Sequence, residues 1–441
     1  MKQSKHNIYY SPKEVRTILE RSIDTALDGL KGYCNDPVSD FTRCRKLPAR
    51  TLIKCIMSFS NYSSIGELSH FFVGQGEMPS ASALSQRRQL LDPDIFKRIN
   101  NLFVSAFDDH TTINGYHILA QDGSDVNIPF MDDKTKTEKH DAKSFCQYHV
   151  NALYDCLNKV FYDWSIDAAS KKREVNALIS ILKDRNYPQN SIFTADRGYE
   201  SYNLMAHFIE NDTKFVIRVK DIHTKSGLMT NIKTEEGAFD MRINRTLTSL
   251  QTKEIKADKE KYIFVPSTSN FDFLDENRDF YNLSFRAVRF KISEDTYETV
   301  VTNLSEEEFK TEDFKELYHY RWNEETAFNK LKYTIGLVYF HARKRKLIQQ
   351  EINAAFLMYN VSEVIIRNID LKKNKKPELE YDYKPNFSSA VTNIRLYLRK
   401  KISMKELILR IKKFLVAQRP ERSYERNIKG QSCKPLNYRT S

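Results

Sequence analysis

Cysteine is scarce in this 441-residue chain: six residues, at 34, 44, 55, 146, 156 and 433. No two are spaced as CxxC and no histidines follow at zinc-finger distance. A disulfide framework or a structural zinc site is therefore not expected, and free thiols in a reducing compartment are. There is no run of about 18 apolar residues, so no helical membrane span is expected. The first residues, MKQSKHNIYYSPKEV, lack the apolar stretch and cleavage pattern of a secretory signal. Internal repeats are also missing. Together these absences lead us to expect a cytoplasmic protein.

What is present is bulk and positive charge. With 40% hydrophobic and 12% aromatic residues the chain can bury a large core, and its length predicts more than one domain. Lys and Arg number 70 against 58 acidic residues, a net charge of +12, which leans towards a polyanionic partner.

Residues 1–110 read as short helices. Ser11-Pro12 with Glu14 opens one, and others are expected near 48–59, 65–72, 82–91 and 93–106. The stretch SALSQRRQLL, carrying Arg87 and Arg88, is a candidate DNA-facing helix. After Gly115 the pattern becomes β-β-β-α-β-α-β through residue 219. A short strand at 116–120 is expected to stop before Asp122-Gly123, and 131–143 to form a polar loop. A hairpin turns at Asn158-Lys159, and a strand at 191–195 stops at Asp196. That order gives a mixed α/β sheet with helices on its faces. Residues 222–298 are polar and weakly alternating, and read as a β-rich insertion. Past Tyr339 the chain is helical again, followed by the basic run at 372–377, one or two further helices at 386–416, and a tail from Gln418 with six basic and two acidic side chains.

The most informative stretch is TEDFKELYHYRWNEETAFNKLKYTI, expected as one helix from Thr311 to Ile335, with Gly336 as its stop. Phe314, Leu317, Phe328 and Ile335 mark its buried side. At about 100° per residue, Tyr318, Arg321, Glu325 and Lys332 lie within about 60° of one another on that same side. Charges on a burying face are costly unless something uses them, and a metal ion with a polyphosphate would. Asp122 and Asp196, each at the end of an apolar strand, can equally be turn residues. If their strands are neighbours, the two carboxylates repel unless a cation lies between them, as Mg²⁺ would. Asp125 is the rival of Asp122 and is expected to lie off the strand.

The spacing Tyr318-x2-Arg321-x3-Glu325-x6-Lys332 resembles the Y-x2-R-x3-E-x6-K signature of the insertion-sequence family four transposases. The DGS at Asp122 and ADRGY at Asp196 resemble the two aspartates of that family's DDE triad. The 74 residues between them, and the 129 before Glu325, resemble its layout. The resemblance covers residues 50–365. It implies an RNase H-like core split into 111–221 and 299–370 around a β-rich insertion at 222–298. A helical DNA-binding region at 1–110 and a basic helical region at 371–441 would flank that core. It implies catalysis and metal binding by Asp122, Asp196 and Glu325, using two Mg²⁺ ions, with Mn²⁺ as substitute. The expected activity is cut-and-paste transposition: metal-dependent cleavage at inverted terminal repeats and strand transfer into double-stranded target DNA, by a homodimer in the synaptic complex, in the nucleoid. Tyr318, Arg321 and Lys332 would contact DNA, and Arg218, in FVIRVK at the end of an expected core strand, would contact phosphate. Some relatives stack a flipped base on an aromatic residue of the insertion. Here the insertion has no Trp, and Phe271, Phe273, Phe280 and Tyr281 remain as alternatives. Two other readings stand beside this one: a catalytically silent DNA-binding regulator derived from a transposase, and an RNase H-like nuclease without end joining.

Overall fold

The computed structural model describes residues 1–5, 9–43, 46–74, 76–139, 142–169, 174–222, 224, 226–269, 271–294, 296–371 and 381–418. The basic run at 372–377 and the tail beyond Gln418 lie outside the described residues.

Strand β1 (Gln3–Lys5) precedes five helices: α1 (Pro12–Asp28), α2 (Ala49–Met57), α3 (Ser64–Phe72), α4 (Ala81–Leu90) and α5 (Asp94–Val104). Their starts are written locally. Ser11 and Glu14 form a reciprocal capping box, and Ser63 and Ser80 accept from the third residue on. The chain then alternates: β2 (Thr111–Ile113), β3 (His117–Ile128), β4 (Lys136–Lys139), β5 (Ala142–Asp155), β6 (Val160–Ala168), α6 (Glu174–Asp184), β7 (Ser191–Ala195), α7 (Tyr202–Glu210) and β8 (Lys214–Arg218). Strands β6, β5 and β3 pair antiparallel, and β7 and β8 run parallel to β3 on its other side. The order 3-2-1-4-5 of these five strands is that of an RNase H-like core.

The segment after β8 supplies β9 (Phe239–Thr248), α8 (Lys253–Ala257), β10 (Tyr262–Phe264), β11 (Phe280–Ser293) and β12 (Thr296–Thr302). It does not form a separate sheet. β12 pairs with β8, and β11, β9 and β10 continue outward, giving ten strands in one sheet among the described residues.

Helices cover both faces. Side chains of α1, α2 and α5 join one apolar layer, and those of α6 and α7 the other. The last third of the chain adds α9 (Asp313–His319), α10 (Trp322–Lys330), α11 (Arg345–Arg367), β13 (Tyr383–Pro385), α12 (Phe387–Leu398), α13 (Met404–Lys413) and β14 (Leu415–Ala417). Helix α11 is buried along nearly its whole length. It also covers the exposed backbone of edge strand β6: Asn360 accepts from the Phe161 N–H and donates to the Phe161 carbonyl, both at 2.8 Å. Trp164 stacks on Phe356 at 4.4 Å and donates its indole N–H to Asn353 at 2.8 Å. An open strand edge invites pairing with other chains, and these side chains close it.

Four expectations need correction. Strand β3 does not stop at Ala120. Its antiparallel partner β5 stays in register from Leu119↔Asp155 to Ile128↔Cys146, and that ladder outweighs the turn preference of Asp-Gly. Asp122 and Asp125 therefore both lie within the strand. Part of the expected loop at 131–143 is strand β4. The single helix at 311–335 is a jointed rod. Glu324 and Asn323 donate to carbonyls three residues back, at Arg321 and Tyr320, both at 3.0 Å. That is a 3₁₀ tightening between α9 and α10, and Leu331–Ile335 is a π-helical turn. Its start moves too: Thr311 bonds the Asp240 carboxylate and α9 begins at Asp313.

Fourth, Arg88 is not DNA-facing. It is 2% exposed, and its guanidinium donates to Glu351 at 2.8 Å, the Leu347 carbonyl at 2.8 Å and Gln350 at 3.3 Å. Arg87 is half-buried, donates to the Leu47 carbonyl at 3.1 Å and lies over the Phe41 ring. Burial alone would raise the Glu351 carboxyl, but Arg88 and His341 hold it down to about 2. A carboxyl depressed in the folded state contributes stability above its unfolded value of 4.5, and loses it as pH falls towards 2. Arg88→Ala leaves Glu351 buried without its main partner. It is expected to cost about 3–5 kcal/mol at pH 7, with the gap from wild type shrinking below pH 4, as read by chemical denaturation across that range.

Candidate active site

The parallel register of β3 and β7 builds the site. Ala120 pairs with Thr194, so two residues further along each strand Asp122 and Asp196 come abreast. The pairing of β7 ends there, which opens the edge of β3 beyond Ala120. Asp196 also caps the short 3₁₀ turn Arg197–Tyr199 by accepting from the Gly198 N–H at 2.7 Å. The turn reading of Asp196 and the functional one are thus compatible.

Helix α10 brings the third acid. The guanidinium of Arg321 stands 3.9 Å from Asp122 and 3.5 Å from Glu325, bridging the sheet carboxylate to the helix carboxylate. Burial pushes the Asp122 carboxyl up to about 6, and the charges of Asp196 and Glu174 add to that push against the Gly123 amide and Arg321. Lys332 is half-buried, burial lowers its pKa, and the charges facing it are Asp125 and Asp122. It belongs to the acidic site rather than to a surface pair. Tyr318 and Arg321 are 2% and 5% exposed, with the guanidinium carbon 5.6 Å from the Tyr318 ring and 5.3 Å from that of Trp322. Protein already covers much of this helix face. Arg218 ends β8 and pairs with Glu298 of β12 at 3.1 Å. Of the four insertion aromatics, Tyr281 is buried with its hydroxyl bonded to Glu210 at 3.0 Å, Phe271 and Phe273 pack around it, and Phe280 is exposed.

Three features have no counterpart in the sequence reading. Glu324 is fully buried beside Asp122, and desolvation raises its carboxyl well above the usual range. His149 of β5 is held between Asp125 at 2.7 Å and Glu174 at 3.0 Å. Burial would lower its pKa, but the two carboxylates raise it to about 9. Glu174, first residue of α6, is the third. The helical period put Glu324 near the apolar stripe, about 20° from Leu317 and Ile335, but nothing in the pattern marked it as a buried acid next to Asp122. The spacing of 24 and 25 residues in 125–149–174 follows no helical or strand period.

Among the described residues, no group of three or more His, Cys, Asp or Glu could hold a metal ion unaided. Mg²⁺ does not require that, because it takes few protein ligands and fills the remainder with water and phosphate oxygens. The donors here fit such an ion. They are carboxylate oxygens, and that of Asp122 is raised first by burial and then by the neighbouring charges of Asp196 and Glu174, both of which a bound cation would offset.

A family model for the transposase DDE domain matches residues 113–361. The chain belongs to the DDE transposase domain family. The matched span begins at the end of β2 and closes within α11, so it contains all three candidate acids of the DDE site. No curated protein matches the sequence. One similar solved structure is described as the cryo-EM structure of a piggyBac transposase synaptic complex with hairpin DNA. It has a TM-score of 0.47 and 12% identity, over 96% of this chain and 90% of that one.

The raised Asp122 carboxyl has a stability consequence. An acid whose folded pKa lies above its unfolded value of 3.8 costs stability as pH rises through that interval, and the cost is complete above about 6. Asp122→Asn, measured by chemical denaturation in EDTA, is expected to be more stable than wild type at pH 8, by up to about 3 kcal/mol. At pH 3.5 the gain should vanish.

Proposed function

We propose that this chain is an active transposase of the insertion-sequence family four type, cutting DNA at the ends of its element and joining those ends to target DNA. The observation that carries the reading is the side-by-side placement of Asp122 and Asp196 on parallel strands, with Glu325 opposite them across Arg321. The sequence pattern from Tyr318 to Lys332 supports the assignment.

Asp122 and Asp196 would hold divalent ions from the sheet and Glu325 from α10. Two such ions, when bound, activate water or a 3′-hydroxyl and stabilise the leaving oxygen of a phosphodiester. The side chains of the protein set the rest. Arg321 keeps Asp122 and Glu325 from repelling one another and turns its charge towards the same crevice. Lys332 and Arg218 offer positive charge at its rim for the DNA backbone, and Tyr318 fixes Arg321 from behind. The terminal repeats would be read by residues 1–110 and the basic helices after residue 371, with the 222–298 segment extending the contact. Arg88 takes no part in that contact, and within α4 the exposed Ser82, Ser85 and Gln86 are better placed. Two ends of one element, brought together for joining, call for two copies of the chain.

The test is cleavage of DNA carrying the inverted repeats that flank the gene, by full-length protein with Mg²⁺ or Mn²⁺. Asp122→Asn, Asp196→Asn and Glu325→Gln are each expected to lose about 10³-fold or more in cleavage rate while still binding the ends. Cleavage retained by any one variant would remove that residue from the triad. Wild-type protein that binds the ends but never nicks them with either ion would instead identify a silent regulator.

A further inference from the structure

Behind Asp122 the sheet carries a second set of ionisable groups. Asp125 of β3 and His149 of β5 are directly opposite in the antiparallel register, and their side chains meet at 2.7 Å. The other ring nitrogen of His149, Nε2, stands 3.0 Å from Glu174 Oε1. His149 is 2% exposed, so this chain of contacts is built into the protein rather than laid over it.

Its far end reaches the acidic site. A Cβ placed on Gly123 would lie 2.9 Å from Glu174 Oε1 and 2.3 Å from His149 Nε2, and a Cβ placed on Gly198 would lie 3.9 Å from Glu174 Oε2 and 3.0 Å from Asp196 Oδ1. Glu174 therefore sits between the glycine that follows Asp122 and the glycine that follows Asp196 by two residues. The missing side chain at 123 makes room for it. Any other residue there would push His149 and Glu174 away from the strand. A histidine held from one side by Asp125 has a fixed ring orientation, and its other nitrogen keeps Glu174 close as an ion pair rather than through an aligned hydrogen bond. Such carboxylate–histidine pairs orient groups at metal sites. Left alone, Glu174 would turn to solvent rather than sit beside two other acids.

We infer that Glu174 is a fourth carboxylate of the divalent-ion site, and that Asp125 and His149 are the positioning residues that hold it against Asp122 and Asp196. The inference rests on the proposed metal-dependent function. It adds a ligand from α6 on the side of the sheet away from α10, so that ions are faced by Glu174 from one side and Glu325 from the other.

Mn²⁺ binding to the full-length protein, followed by the loss of the free-ion EPR signal, reads this without any turnover. Glu174→Gln and His149→Ala are each expected to weaken Mn²⁺ affinity by about tenfold. The double variant should be no weaker than Glu174→Gln alone, because both changes remove the same contact. Thermal melts of the same samples separate loss of the ion from loss of the fold. Glu174→Gln with wild-type Mn²⁺ affinity, beside a weakened Asp196→Asn, overturns the role of Glu174 and leaves the proposed function standing. Losses that add fully in the double variant overturn the positioning role of His149. Asp196→Asn binding Mn²⁺ as wild type does removes the metal site itself, and this inference with it.

Discussion

Two carboxylates held abreast on neighbouring strands repel, and much of this protein is arranged around that repulsion. The parallel pairing of β3 with β7 fixes Asp122 beside Asp196, and the end of that pairing exposes them. Burial then makes the charge on Asp122 expensive. The surroundings answer with cations at fixed places: Arg321 from the joint before α10, Lys332 from the π-helical turn, and His149 from β5. Even so, the carboxylates around the crevice outnumber the cations that the protein sets beside them.

The joints in the 313–335 rod follow from the same requirement. At about 100° per residue Glu324 falls about 20° from Leu317 and Ile335, and Glu325 about 40° from Arg321. The 3₁₀ tightening at Tyr320-Arg321 keeps that division: Glu324 is fully buried, and Glu325 lies at the crevice with Arg321. The π turn at the far end carries Lys332 back towards Asp125 and Asp122. Behind the rod, α11 supplies a rigid bed: it fills the layer between the N-terminal helices and the sheet, and its asparagines close the edge of β6. Arg88, Gln350 and Glu351 lock α4 to this bed.

Element types were legible because their signals are local. The capping box at Ser11, the serine caps of α3 and α4, the turn at Asn158-Lys159 and the strand 191–195 all depend on residues within a few positions of one another. The apolar positions Phe314, Leu317, Phe328 and Ile335 are all buried as their spacing implies. Strand β3 was misjudged because its length is set by a partner some 20 to 35 residues away in β5. Arg88 was misjudged because a charged helix face looks the same in sequence whether it meets solvent or a distant Glu351. Of the candidate site, the spacing from Tyr318 to Lys332 and the aspartates at 122 and 196 could be singled out directly, although Asp122 lies within its strand rather than at its end, whereas Glu174, His149 and Glu324 could not.

The sequence by itself determined the alternation of helix and strand, the apolar stripe of the 311–335 segment and a candidate set of acids for a DDE site. Those depend on side-chain period and on short-range hydrogen bonding, which a linear pattern encodes. Tertiary structure decided that Glu324 is buried beside Asp122, that Arg321 bridges sheet to helix, and that a histidine from β5 meets a glutamate from α6 behind the aspartates. Those are distances between elements far apart in the chain. They are fixed by strand register and by the packing of buried faces, neither of which has a signature at any single position.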